Sequence, residues 1–508
     1  GSWWAMARAD WGPLLAVAAG HAARFARACA DPRAAQMALL HRIVQANRDT
    51  AFGRAHGFGP IASLADYQRA VPVAEYDAFA AAIARMAAGA ANELVADPVI
   101  AFEETGGSAS GGKLVPYTAA GLDGFAAAVL PWLGDLAGRR PTIAAGRAYA
   151  TISPATRAPR ATASGLPIGL PSDAAYLGEA AAPAFAAVLA VPPGLAGVTD
   201  VKAWRIATLA ALVQAEDLAF VSLWSPTFLS ALLAELEPLA EAVLARIDPP
   251  ARVRLDAALK GTALCTARLW PGLDCISCWA DGASAAPARQ LAACFPHAAI
   301  EAKGLLATEA AITVPWGAEE GCVPALHSAL IEFAGDDGCP RLCDELVPGE
   351  TYALVLTTQS GLYRYAIGDR VECLSTRQGL PRLRFIGRDG LCSDLVGEKL
   401  TEAFVATALA GLPFPATLAP RGDGRGYVLH AECAAPPAGL AERIEQQLCA
   451  NPHYAHARRM GQLAPLRLAA NARLSARLIA AGLAGGRRMG DLKPVALLSR
   501  AVGDGADA

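Results

Sequence analysis

At 508 residues, with 54% hydrophobic and 18% charged side chains, the chain is expected to be a folded protein of roughly two to four domains, not a disordered one. Its 44 basic and 47 acidic side chains leave a net charge of -3, which offers no field for nucleic acid or an anionic membrane, so small molecules are the expected partners. Twelve cysteines spread from Cys29 to Cys449 are too sparse for a disulfide scaffold.

Gly1-Ser2 ahead of Trp3-Trp4-Ala5-Met6 reads as an expression remnant, so the domain reading starts at Met6. The longest uncharged run, residues 180–199, is broken by Pro183, Pro192 and Pro193, which argues against a membrane span. A soluble, cytoplasmic protein is the expectation.

From Trp11 to about Val95 apolar residues recur at spacings of three and four, as in Met37-Ala38-Leu39-Leu40 and Ile43-Val44, which predicts helices. Gly57-Phe58-Gly59-Pro60 interrupts them, and Ser63 caps a new helix through Tyr67. Then comes Phe102-Glu103-Glu104-Thr105-Gly106-Gly107-Ser108-Ala109-Ser110-Gly111-Gly112-Lys113, whose glycines let the backbone approach phosphate oxygens while hydroxyls and one lysine supply donors and charge. Gly107 to Lys113 fits the P-loop spacing, but Leu114 stands where that motif needs Ser or Thr. The segment Leu114-Val115-Pro116-Tyr117-Thr118 predicts a strand or turn where a P-loop needs a helix. The P-loop reading is therefore rejected, which leaves a phosphate loop of another kind or a plain Gly/Ser linker.

A helix is predicted from Gly121 to Leu136, a strand at 148–154, an irregular stretch at 166–173 and a strand at 220–224. A helix follows from Phe228 to Ile247, broken near Pro238. Short apolar strands alternating with helices point to an α/β domain with ligands near the strand ends. The lone Cys275-Ile276-Ser277-Cys278, flanked by Leu273 and Trp279, reads as a buried strand that happens to carry thiols, since no second pair matches a zinc spacing. Strands are also predicted at 297–302 and 311–315. Between them lies Lys303-Gly304-Leu305-Leu306-Ala307-Thr308-Glu309, where a hydroxyl beside a carboxylate suits a magnesium-bound phosphate or, equally, a solvent-facing turn.

The strand 351–358 runs into Gly361-Leu362-Tyr363-Arg364-Tyr365-Ala366-Ile367-Gly368-Asp369. A carboxylate placed there can accept two hydrogen bonds from ribose hydroxyls, or simply close a hairpin. Leu383 to Arg388 predicts a strand ending at Asp389-Gly390, and Glu398-Lys399-Leu400 opens a helix. The last hundred or so residues read as a small α+β domain, with a strand at 426–433, a helix at 439–449 and a glycine-rich turn before Lys493-Pro494.

In this order the segments resemble the adenylate-forming superfamily and, within it, the auxin-responsive acyl acid amido synthetases, in particular their bacterial relatives. Thr105 to Lys113 is similar to the family's S/T-S-G-T/S-T-x-G-x-K loop, and Gly304 to Glu309 to its aromatic-G/A-S-S/T-E segment. Gly361 to Asp369 matches G-L-Y-R-Y-R-x-G-D almost letter for letter. The resemblance implies an α/β fold: a large N-terminal adenylate-forming domain, residues 6–388, with sheets flanked by helices and binding ATP and the acyl acid, plus a small mobile α+β domain, 389–508. It also implies ATP and Mg²⁺, a small carboxylic acid and an amino acid as substrates, and the release of pyrophosphate and then AMP.

Carried over residue by residue, Ser108, Ala109, Ser110 and Lys113 would face phosphates, Thr308 the α-phosphate, Glu309 the magnesium, and Tyr365 and Asp369 the nucleoside. Arg388 and Asp389 would mark the hinge, and Lys493 would reach the carboxylate and α-phosphate during adenylation. Gly106 and Ala109 replace hydroxyl residues usual in that loop, and Leu305-Leu306 stand where an aromatic often packs near adenine. Competing readings are an acyl-CoA ligase sharing the first half-reaction and a nucleotide-binding homologue that has lost catalysis. The acid pocket is expected around the helix after Gly121, residues 166–173, Trp224 and Trp279, and its apolar character suggests an aromatic or aliphatic acid.

Overall fold

The computed structural model describes residues 9–104, 113–150, 160–170, 173–389, 391–484 and 492–502. Helices Gly12–Ala30, Pro32–Ala46, Ala51–Ala55, Leu64–Ala70 and Asp77–Ala87 lead the chain, as the periodicity predicts. Ser63 caps the fourth through a reciprocal pair of contacts with Asp66. The glycine loop then joins two antiparallel strands, Val99–Glu104 and Leu114–Thr118, with Glu104 opposite Leu114. A strand follows the loop, which removes the P-loop reading on geometry as well as on letters.

Helix Ala119–Arg139 continues directly from that strand, with the Thr118 side chain accepting from Gly121 N–H. Behind it lies a four-stranded parallel sheet in the order Arg147–Ala150, Leu218–Ser222, Cys275–Cys278, Ala299–Ala302. Its strands are short and its crossovers helical, as the alternating pattern predicts. The predicted strand at 148–154 is described only as Arg147–Ala150, since residues 151–159 lie outside the described part. Cys275 and Cys278 are fully buried in the third strand, and burial pushes both thiols up to about 12, as expected for packing residues.

The alternating pattern did not announce the largest sheet. Seven strands, all antiparallel, run in the order Pro340–Arg341, Ala329–Ala334, Thr351–Thr358, Tyr365–Arg377, Leu380–Arg388, Cys322–Pro324, Thr313–Pro315. Asp369 therefore sits well inside a 13-residue strand. The turn expected there lies earlier, where Leu362 N–H bonds the Thr358 hydroxyl. The helix expected at Glu398 starts instead at Glu402, because Leu400–Thr401 first pair with Cys392–Ser393 and Thr401 supplies the cap.

The C-terminal strands Ala416–Pro420, Tyr427–Ala431 and Arg467–Ala470 form a three-stranded sheet. With helices Glu402–Leu409, Leu440–Leu448 and Pro452–Arg459 it encloses a core of its own, built on residues such as Leu418, Leu429, Ile444 and Tyr454. Ile479 and Leu492 leave that core and pack with the parallel-sheet core around Trp270 and Leu291. Among the described residues no helix is long and apolar enough to cross a membrane.

Candidate active site

Tyr365 opens its strand and Asp369 follows on the same face, four residues along. Across the ladder Asp369 stands opposite Arg388, whose Nε donates to Asp369 Oδ1 at 2.9 Å. Asp369 is 1% exposed, yet its second oxygen, Oδ2, has no hydrogen-bond partner among the described residues. A buried carboxylate oxygen in that condition is costly unless a ligand completes it. Arg388 reaches the site because the chain turns at Gly387, where φ is +145° and an added Cβ would lie 2.4 Å from Ala403 Cα. The Asp369 charge, above all, holds the guanidinium in its charged form.

Thr308 and Glu309 form the tip of a tight hairpin. Ala307 N–H bonds the Ala310 carbonyl, Leu306 pairs with Ala311, and the Tyr117 hydroxyl donates to the Thr308 carbonyl at 2.6 Å. At the hairpin base, Cβ on Gly304 would collide with the Thr313 carbonyl at 1.9 Å, so only glycine fits. The Tyr365 phenol lies beside the Glu309 carboxylate and favours its charged form. Burial raises the Glu309 pKa, helped by the Asp369 charge, while Arg388 and the tyrosine oppose it.

Lys493 arrives from the far end of the sequence on a strap bonded to the edge of the C-terminal sheet. Leu418 N–H meets the Ala496 carbonyl at 2.8 Å, Leu498 N–H the Leu418 carbonyl at 2.9 Å, and the Thr417 hydroxyl the Val495 carbonyl at 2.8 Å. Its ammonium lies 4.6 Å from the centre of the Trp279 ring. Burial, and then the charge of Arg388, lower its pKa to about 8, with Asp369, Glu309 and Glu402 pulling the other way. Glu402, which the sequence reading passed over, stands beside Arg388 and Lys493 with its own pKa raised by burial.

Thr308, Glu309, Tyr365, Arg388 and Lys493 line a cavity of about 1080 Å³. Its other walls are apolar and aromatic: Phe125 and Trp132 from helix Ala119–Arg139, Phe220, Leu170, and the paired rings of Trp224 and Trp279, 5.9 Å apart. Leu170, Trp224 and Trp279, around which the sequence reading expects the acid pocket, all line this cavity. Lys113 stands at the same cavity with its ammonium 5.2 Å from the Tyr76 ring centre. Ser108, Ala109 and Ser110 lie outside the described residues. The cavity brings together Lys113, Thr308, Glu309, Tyr365, Arg388 and Lys493, with Asp369 joined to them through Arg388.

Lys303 is a cavity residue that the motifs did not flag, and its one available signal was its position just past a strand end of a parallel sheet. The letters of the Gly361 to Asp369 motif divide by role. Tyr363 stacks on Phe52 with ring centres 4.4 Å apart and donates to the Leu94 carbonyl, and Arg364 pairs with the buried Glu332, so both belong to the core. Tyr365 alone among these aromatics and basic residues lines the cavity.

The GH3 family N-terminal domain matches residues 21–300, and the GH3 family central domain matches residues 332–388. The chain belongs to the GH3 family. It is 30% identical over 122 residues to the Oryza sativa subsp. japonica protein named probable indole-3-acetic acid-amido synthetase GH3.12, an alignment covering 22% of this chain and 19% of that protein. To indole-3-acetic acid-amido synthetase GH3.10 of Arabidopsis thaliana it is 36% identical over 89 residues, 18% of this chain and 15% of that one. These alignments therefore span less than a fifth of either relative's length. In fold, the chain is similar to the AtGH3.15 acyl acid amido synthetase in complex with 2,4-DB, with a TM-score of 0.80 at 17% identity over 92% of both chains. It is similar more distantly to a 2-hydroxyisobutyryl-CoA ligase in the postadenylation state, with a TM-score of 0.54 at 13% identity over 86% of this chain and 85% of that one. The GH3 fold thus accounts for nearly the whole chain: an α/β protein with sheets flanked by helices and a smaller C-terminal unit.

Proposed function

We propose that this GH3 protein is an ATP-dependent acyl acid amido synthetase that adenylates a small carboxylic acid and passes the acyl group to the amine of an amino acid. The observation that carries the reading is the half-satisfied carboxylate of Asp369, buried and fixed by Arg388 beside an apolar cavity that also holds Lys493 and Glu309. In the first half-reaction an oxygen of the acid's carboxylate attacks the α-phosphorus of ATP and pyrophosphate leaves with its bonding electrons. In the second, the amine nitrogen attacks the acyl carbon, a proton departs, and AMP leaves.

Asp369 Oδ2 would accept from a ribose hydroxyl, and Tyr365, on the cavity wall, would pack against the nucleoside. Lys493, cationic below about pH 8, would lie between the acid's carboxylate and the α-phosphate and offset the negative charge gathering there. Lys113, with Ser108, Ala109 and Ser110 of the glycine loop, would take the outer phosphates, and Thr308 the α-phosphate. The aromatic walls keep water from the acyl adenylate.

Magnesium fits this site as an ion brought by the phosphates. Among the described residues no cluster of three His, Cys, Asp or Glu could hold a metal, whereas Glu309 offers one half-buried carboxylate whose charged form a cation would favour. Bound there, Mg²⁺ neutralises phosphate charge.

The separate C-terminal core supports a division near residues 388 and 389, with 6–388 as the large unit and 389–508 as the mobile one. Movement there would carry Lys493 toward and away from the site between the half-reactions. Use of ATP and twelve free cysteines suit a cytoplasmic setting. The test is pyrophosphate release across a panel of carboxylic acids, followed by mass spectrometry of products formed with amino acids or with CoA. Amides with amino acids support the proposal. Thioesters alone, or no acid-dependent pyrophosphate, overturn it.

A further inference from the structure

Lys303 is 8% exposed and yet forms part of the cavity wall. Its backbone is locked to the parallel sheet, Lys303 N–H meeting the Cys278 carbonyl at 2.7 Å. The side chain returns across the carboxyl ends of two neighbouring strands, where its ammonium donates to Ser222 Oγ at 2.7 Å and to Ser277 Oγ at 3.3 Å. Ser222 and Ser277 stand opposite each other in the sheet register, so one lysine and two hydroxyls form a single polar spot. Trp132 and Trp224 hold the ammonium between their ring faces, at 4.6 and 5.0 Å. Phe125, Leu133, Phe185 and Phe220 make the surrounding wall apolar.

A buried ammonium fixed in an apolar pocket is the arrangement that orients a ligand by one polar contact. It is not the contact for the reacting carboxylate. On the adenylation reading that carboxylate lies at the nucleotide end, beside Lys493, and the two lysines sit on different rings, Lys493 on Trp279 and Lys303 on Trp224, whose centres are 5.9 Å apart. An acid lying along these rings with its carboxylate at Lys493 presents its far end to Lys303.

Resting on the adenylation reading, we infer that Lys303, with Ser222 and Ser277, is a specificity subsite for a second oxygen acceptor at the distal end of the acyl acid, a carboxylate above all. The preferred substrates are then small acids with oxygen at both ends and an apolar or aromatic middle.

The experiment compares matched acids, adipate against hexanoate and terephthalate against benzoate, by acid-dependent pyrophosphate release and, separately, by calorimetric binding to the full chain without turnover. The wild-type protein is expected to favour the diacid of each pair by at least about tenfold in kcat/KM, the scale of one charge-assisted hydrogen bond. Lys303→Met is expected to bring that ratio to within about twofold. Ser222→Ala, which keeps the ammonium and guards against a folding defect in the lysine variant, is expected to reduce the ratio by about threefold. Equal losses for both members of each pair would show that Lys303 only supports the wall, and an unchanged ratio would show that it does not read the ligand; either overturns the inference. If no acid supports pyrophosphate release, the adenylation reading fails, and calorimetry still decides the subsite. Diacid binding that Lys303→Met abolishes upholds it, and binding that is absent from wild type or equal in both proteins overturns it.

Discussion

Two arginine–carboxylate pairs sit on the same antiparallel sheet, and they differ in what surrounds them. Arg364 and Glu332 are both buried and fully occupied. The guanidinium donates to both carboxylate oxygens at 2.9 and 3.0 Å and also to the Val71 and Gln68 carbonyls, while Gln68 Nε2 adds a bond to Glu332. Arg388 and Asp369 share one bond, leave Asp369 Oδ2 without a partner among the described residues, and keep 39% of the arginine side chain exposed at the cavity wall. A closed network ties the sheet to helix Leu64–Ala70, whereas an open one waits for a ligand. Sequence similarity puts Arg364 and Asp369 in one motif, and only the packing separates the structural letter from the one proposed to bind the nucleotide.

The comparison can be broken at either pair. Glu332→Ala strands a buried guanidinium and is expected to cost about 3 to 5 kcal/mol of stability, read as a lower urea midpoint, with any loss of activity following the loss of folded protein. Asp369→Ala is expected to do the reverse. Adenylation should fall about a hundredfold in kcat/KM for ATP, or about 2.7 kcal/mol, with little change in the urea midpoint, because the freed Arg388 can be hydrated. If the two variants showed the same profile, the division into a structural and a functional pair would collapse.

Lys493 sharpens the open side. Its ammonium loses its proton near pH 8, so the adenylation rate is expected to fall as pH rises through that value, approaching about tenfold per unit above it. Lys493→Arg, which stays charged, should remove that limb whatever its absolute rate. Lys493→Ala should slow adenylation much more than aminolysis of a supplied acyl adenylate, and equal losses would argue against a residue that serves only one half-reaction. The smallest effect belongs to the closed side: Ser63→Ala removes the cap of the helix that anchors Arg364 and is expected to cost about 1 kcal/mol in a thermal melt without altering ATP affinity.

Much of this was legible in the sequence wherever a local signal sets the structure. The Ser63 cap, the strand 351–358, the parallel strands and the refusal of Leu114-Val115-Pro116 to form a helix all follow from periodicity, capping or proline chemistry. The seven-stranded antiparallel sheet was not legible, because its order depends on pairings between distant segments that share no local mark. For the same reason Asp369, readable only as a carboxylate after a glycine turn, proves to lie inside a strand with Arg388 as its cross-strand partner. Lys303 and Glu402 escaped notice because nothing about a lysine after a strand or a glutamate at a helix start distinguishes them until the cavity is assembled around them.

The most direct test is acid-dependent exchange of labelled pyrophosphate into ATP, measured side by side for the wild-type protein, Asp369→Ala and Glu332→Ala, each normalised to folded protein. The account predicts exchange in the wild type, near-wild-type exchange per folded molecule in Glu332→Ala, and almost none in a fully folded Asp369→Ala. Full exchange in Asp369→Ala would contradict it.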